Sequence, residues 1–169
     1  MAKMEFNSLL HKLRGEDYKV PKRVLAFDPG ETTGWAYFTY GTLKEAGQIS
    51  VPVVNEVLHA EEFFYVVTTT DPDVVVVEDY RVYASKAQPH SWNALYTPKL
   101  IGYIQAVCHS RFEVGRQPKM VMQMASSKQF CTNDKLKAWG FYQKANPHAN
   151  DAVRHGCYYL LFHGRRQKK

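Results

Sequence analysis

A chain of 169 residues, 45% hydrophobic and 22% charged, has the size and make-up of one globular domain and is short for two independent cores. No apolar run approaches the roughly 20 residues of a membrane span, and the opening MAKMEFNSLLHKLRGED lacks the apolar core and cleavage site of a secretory signal, so an intracellular protein with no membrane association is expected. Three scattered cysteines (Cys108, Cys131, Cys157), without CxxC or Cys/His spacing, argue against structural zinc and for reduced, packed thiols.

The net charge of +6 is unevenly placed. Glu45 to Asp79 holds eight acidic residues and no lysine or arginine, whereas Arg111 to Lys144 holds seven basic residues against Glu113 and Asp134. The chain then ends in Arg165, Arg166, Lys168 and Lys169. Segregated positive charge suits a phosphate-backbone binder, because neutralising phosphates releases counterions. A solvated surface with a basic tail explains the same charges.

In chain order, Phe6, Leu9, Leu10 and Leu13 recur with helical spacing before Gly15, predicting a short amphipathic helix over 4–14. VLAF leads into the DPG turn, so Val20–Asp28 reads as a strand; Thr33–Tyr40 and Glu45–Val51 complete an antiparallel meander. Past Pro52, Val54–Thr69 is expected to be a helix, broken by Asp71-Pro72. Val74–Val77 is an unbroken valine run ending at Glu78, as in a strand covered on both faces.

Residues 81–93 show no period and read as a loop. Thr97-Pro98 starts a helix carrying Leu100, Ile104 and Val107; Lys119–Met124 is a further strand. Ser126 and Ser127 can cap a short helix through Phe130, a turn follows near 134–139, and Asn146-Pro147 begins a final helix to about His163. The order predicts an α/β domain with a mixed five-stranded sheet: three antiparallel strands first, then parallel strands, helices on both faces, the fourth strand beside the first.

Three carboxylates stand out. Asp28 and Glu78 each end an apolar strand, and Asp151 lies in the first turn of the last helix with His148 three residues earlier on the same face. Each has a structural alternative, as turn former, solvated strand end or partner of the helix dipole. Together they carry more weight, because the predicted topology brings both strand ends and the helix to one point. Such a cluster repels itself without cations. Mg²⁺ prefers hard oxygen ligands and keeps several waters, and paired ions can orient a water and stabilise a leaving oxygen in phosphodiester hydrolysis.

FDPGETTGWA with Asp28, VVVVEDY with Glu78 and PHANDAVRHGCYYLL with His148 and Asp151 resemble, in this order, the motifs of RuvC-like Holliday junction resolvases. SSKQFCTNDKLKAWG resembles the lysine-bearing segment of phage-type members. The resemblance spans about residues 23–163 and implies an RNase H-like fold. It further implies a homodimer cutting branched DNA with Mg²⁺ or Mn²⁺, in the cytoplasm of a bacterial or phage-infected cell. Carried over, Asp28, Glu78, His148 and Asp151 are the expected catalytic metal ligands, His148 either ligating or positioning water. Lys128, Lys135 and Lys137 are the expected phosphate contacts. Asp79 is excluded because it points to the other sheet face.

The implied division is an N-terminal extension over 1–20, a nuclease domain over 21–163 and a basic tail over 164–169. Residues 1–20 have no counterpart in the family, and 81–93 do not match it; Tyr83, His90 and Trp92 there are candidates for stacking on bases, for dimer contacts or for the core. Three other enzyme readings share features. Sugar-kinase-like ATPases use a similar Asp-Gly turn but need two domains. A terminase nuclease normally follows an ATPase, and no Walker A pattern occurs here. The YqgF type has similar motifs and acts on RNA. A noncatalytic nucleic-acid-binding module of the same fold is the alternative outside enzymes.

Overall fold

Two short apolar strands, Val24–Phe27 and Val74–Val77, are buried along their whole length. A computed structural model of the chain describes residues 5–54, 57–58, 60–80, 96–110 and 115–163. Strands β1 (Arg23–Asp28), β2 (Thr32–Thr39) and β3 (Thr42–Ser50) form the expected antiparallel meander. A two-stranded antiparallel sheet follows, β4 (Val53–Val54) with β5 (Val57–Leu58), and then helix α2 (Glu61–Thr70). Strand β6 (Val74–Glu78), helix α3 (Tyr96–Ser110) and strand β7 (Lys119–Gln123) come next. A 3-10 helix (Ala125–Phe130), α4 (Asn133–Trp139) and α5 (Pro147–Phe162) complete the described fold; α1 (Phe6–Arg14) precedes it.

The five-stranded sheet runs β3-β2-β1-β6-β7, with β1, β6 and β7 parallel, which is the mixed RNase H-like arrangement. Strand alternation divides the core in two. Val24, Ala26, Val74 and Val76 face α1, α4 and α5. Leu25, Phe27, Val75 and Val77 face α2 and α3. Helix α1 shares the first of these cores: Phe6 and Leu10 are buried, and the Phe6 ring packs on Trp139 and Phe141 at 5.0 and 5.2 Å between centroids.

At the N-terminal end of β1, the Arg23 backbone N–H and guanidinium both donate to Asp73 at 2.9 Å, and the guanidinium also pairs with Asp71. This clamp ties the starts of β1 and β6. It also holds the Asp73 carboxyl below its ordinary value, chiefly through its hydrogen bond with Arg23.

Two local expectations are corrected. Within the helix expected over Val54–Thr69, Val54, Val57 and Leu58 lie in strands β4 and β5 instead, and α2 begins only at Glu61. Val53, Val54 and Val57 are β-branched and prefer extended backbone, which outweighs the helical spacing. Ser126 and Ser127 lie inside the 3-10 helix and do not cap it; its N-cap is Met124, with no side-chain cap bond. The loop expected over 81–93, with Tyr83, His90 and Trp92, and the tail over 164–169 lie outside the described residues. The three cysteines are free and buried. Among the described residues no helix is long and apolar enough to cross a membrane.

Candidate metal centre

The ladders set one row of residues across four strands. Phe27 pairs with Val77 in the parallel β1–β6 ladder, so Asp28 and Glu78 follow side by side; Asp28 pairs with Gly34, and Glu78 with Gln123. By alternation Asp28 and Glu78 continue the series 24, 26, 28 and 74, 76, 78, and so lie on the face that α5 covers. The row ends the apolar strands with polar side chains.

Helix α5 supplies the groups above the row. Its entry is fixed by Asn150, whose Oδ1 accepts from the Gln143 N–H at 2.8 Å and whose Nδ2 donates to the Gln143 carbonyl at 2.9 Å. Two glycines then let the helix lie flush on β2. A Cβ on Gly34 would overlap the His148 carbonyl, and one on Gly156 would overlap the Phe38 ring. Asp151 and His155, four residues apart, share one helical face and are carried down to the sheet together.

These elements converge on one ammonium. Lys128 Nζ, from the 3-10 helix, lies 3.1 Å from Asp28 Oδ1, 2.7 Å from Glu78 Oε2 and 3.5 Å from Asp151 Oδ2. Arg154 pairs with Asp151 and Asn133 and donates through Nε to the Cys131 carbonyl at 2.9 Å, which holds Asp151 against the end of the 3-10 helix. His155 is fully buried; its Nε2 lies 2.7 Å from Glu78 Oε2 and its Nδ1 2.8 Å from Gln123 Oε1. One ligand atom each from Asp28, Glu78 and His155 all lie within 4.8 Å of one another.

The carboxylates feel this crowding unequally. Burial, reinforced by a hydrogen bond with Glu78, pushes the Asp28 carboxyl well above its ordinary range despite the attraction of Lys128. Burial acts on Glu78 in the same direction, but hydrogen bonds with His155, Asp28 and Lys128 outweigh it and hold that carboxyl low. Burial works against the charge of Lys128, yet Glu78, Asp28 and Asp151 raise it above an ordinary lysine.

The structure therefore brings together Asp28, Glu78 and Asp151 from the expected set. His148 sits in the first turn of α5 with an exposed side chain, its backbone over Gly34. Lys128, expected to face phosphate, lies inside the carboxylate cluster. Lys135 donates to the Phe130 carbonyl at 2.7 Å and covers that ring, while Lys137 stands exposed beside Tyr142. His155, Gln123 and Arg154 were not foreseen. His155 carries one visible signal, its position one helical turn after Asp151; Gln123 acquires meaning only through its register with Glu78.

The donor set suits a divalent cation. Carboxylate oxygens on two strand ends and one helix, with an imidazole nitrogen beside them, match the ligands that hold hydrolytic metal ions. Here they are balanced by Lys128, whose ammonium a bound cation can replace.

No known family profile and no curated protein sequence matches the chain. Solved structures do. RuvC of T. thermophilus in complex with a Holliday junction substrate superposes with a TM-score of 0.61 at 13% identity, over 82% of this chain and 92% of that one. The fold is that of RuvC. A further Thermus thermophilus RuvC structure gives a TM-score of 0.54 at 14% identity, over 82% of this chain and 93% of that one. The yeast mitochondrial Holliday junction resolvase Ydc2 gives 0.54 at 13% identity, over 92% of this chain and 84% of that one.

Proposed function

We propose that the protein is a metal-dependent endonuclease that cuts branched DNA, four-way junctions among them, by hydrolysis of a phosphodiester. The observation that carries this reading is the meeting of Asp28, Glu78 and Asp151 around one cationic position, at the strand ends of a RuvC-type sheet. One of the similar proteins was captured with a Holliday junction substrate, which supports the choice of DNA.

Asp28, Glu78 and Asp151 would hold Mg²⁺, with Mn²⁺ as a substitute, and His148 at the exposed start of α5 is suited to positioning the attacking water. Bound there, divalent ions supply charge to the scissile phosphate and acidify water at neutral pH. Hydrolysis breaks the P–O3′ bond and leaves a 5′-phosphate and a 3′-hydroxyl. Lys128 would turn from the carboxylates to the phosphate, and Lys137, exposed beside Tyr142, would contact the DNA backbone. A homodimer would cut both strands symmetrically. The proposed division remains 1–20, 21–163 and 164–169, within a cytoplasmic protein of a bacterial or phage-infected cell.

The test is cleavage of a synthetic four-way DNA junction, a linear duplex and a structured RNA by the purified protein with Mg²⁺ or Mn²⁺. Junction cutting abolished by Asp28→Asn supports the reading. Preference for RNA would move it to the YqgF type, and binding without metal-dependent cutting would leave a noncatalytic module.

A further inference from the structure

On the metal-nuclease reading above, we propose that His155 supplies a nitrogen ligand through Nε2, giving a mixed oxygen–nitrogen centre that discriminates in favour of Mn²⁺ over Mg²⁺. His155 has no exposed surface, so its ring takes its partners from the protein interior. Both ring nitrogens face oxygen atoms: Gln123 Oε1 at 2.8 Å from Nδ1 and Glu78 Oε2 at 2.7 Å from Nε2. With a cation bound, the Nδ1–H tautomer would donate to Gln123 Oε1 and turn the Nε2 lone pair to the ion, in place of the hydrogen bond that Nε2 shares with Glu78.

An imidazole held from behind by an amide, with its other nitrogen among carboxylates, has the outer-shell arrangement of a metal-ligating histidine. The spacing agrees, since ligand atoms of Asp28, Glu78 and His155 lie within 4.8 Å of one another. Helix geometry agrees as well: His155 follows Asp151 by four residues and faces the row, whereas the His148 side chain is exposed at the mouth. Mg²⁺ demands hard oxygen ligands and sheds water reluctantly. An imidazole therefore discriminates against it in favour of a first-row transition ion.

The full-length protein loaded with Mn²⁺ tests this by pulsed electron paramagnetic resonance, which detects a histidine nitrogen bound to the ion. Nitrogen modulation is expected in the wild type and in His148→Asn, and its loss is expected in His155→Asn. Calorimetry should show Mn²⁺ affinity falling about tenfold or more in His155→Asn, with a smaller fall for Mg²⁺. Modulation that survives His155→Asn, or is absent from the wild type, overturns the proposal. Should His155→Asn fail to fold, the wild type and His148→Asn still decide it, because loss of the signal in His148→Asn assigns the nitrogen elsewhere. Asp28→Asn separates the two levels: undiminished Mn²⁺ binding there sinks the metal-nuclease reading itself. Lost binding there with a persistent nitrogen signal in His155→Asn removes only the role of His155.

Discussion

Gly34 of β2 lies directly beneath the backbone carbonyl of His148, with no room between them for a methyl group. The pair sets how deeply the first turn of α5 descends, and so where Asp151 and His155 meet the strand ends. Gly34→Ala must lift the helix or bend the strand, at a cost of about 1–3 kcal/mol for overpacking. The expected result is a melting temperature lower by roughly 2–4 °C per kcal/mol, with cleavage reduced more than DNA binding. Calorimetry and a junction assay measure the two effects; an unchanged cleavage rate in Gly34→Ala would detach this contact from the site.

Asp28→Asn and Asp151→Asn should each bring junction cleavage to background while leaving junction binding close to wild type. Both remove a carboxylate from the cluster around Lys128 without altering the basic surface. Gel-shift and cleavage assays on the same junction compare the outcomes directly. Wild-type cutting by either variant would show the assigned carboxylate to be dispensable.

The Asp28 carboxyl, pushed up to about 7 first by burial, gives a stability prediction with a definite sign. A carboxyl whose pKa is raised on folding contributes stability that is complete below its unfolded value and is lost as pH rises through the folded value. Metal-free wild type should therefore weaken between about pH 4 and pH 7 relative to Asp28→Asn, which has no such proton to lose. The variant should melt higher at pH 8 and close to wild type at pH 4. Excess Mg²⁺ should narrow or reverse the gap, because it stabilises only the protein that binds it. A gap that widens toward low pH would contradict this sign.

Lys128 neutralises three carboxylates at once, so Lys128→Met should lower the metal-free melting temperature. It should also tighten Mn²⁺ binding, since the ion no longer displaces an ammonium. Scanning calorimetry checks the first and titration calorimetry the second. Weaker Mn²⁺ binding in Lys128→Met would mean that this lysine supports the ion instead of competing with it.

Lys137 is exposed and Lys135 is bound to Phe130, and the two should differ in what they do for DNA. Lys137→Ala should reduce the slope of log affinity against log salt by about 1 without changing the melting temperature. Lys135→Ala should cost stability with less effect on the slope. Equal salt slopes for Lys137→Ala and wild type would exclude that phosphate contact.

Much of the fold is legible because its signals are two-sided. The valine run of β6 and the VLAF of β1 read as strands covered on both faces, and Asn146-Pro147 marks the start of α5. The meeting of Asp28 and Glu78 was also readable, since adjacent parallel strands of similar length end together. Sequence could not place His155, because its meaning depends on the β6–β7 register that sets Gln123 beside Glu78. Nor could it place Lys128 inside the cluster, which depends on how a short 3-10 helix turns back over the strand ends. At Val53–Leu58, β-branched preference won over helical periodicity.

The ion pairs of Arg23 with Asp71 and Asp73 lie at the opposite end of β1 and β6 from the carboxylates. Sliding one strand by a single residue would turn Asp28 or Glu78 to the wrong face of the sheet. The clamp thus acts as a datum line from which the positions of both ligands are measured. Damage at Asp73 should surface as a fault in alignment at the far end, where no atom of the clamp is near.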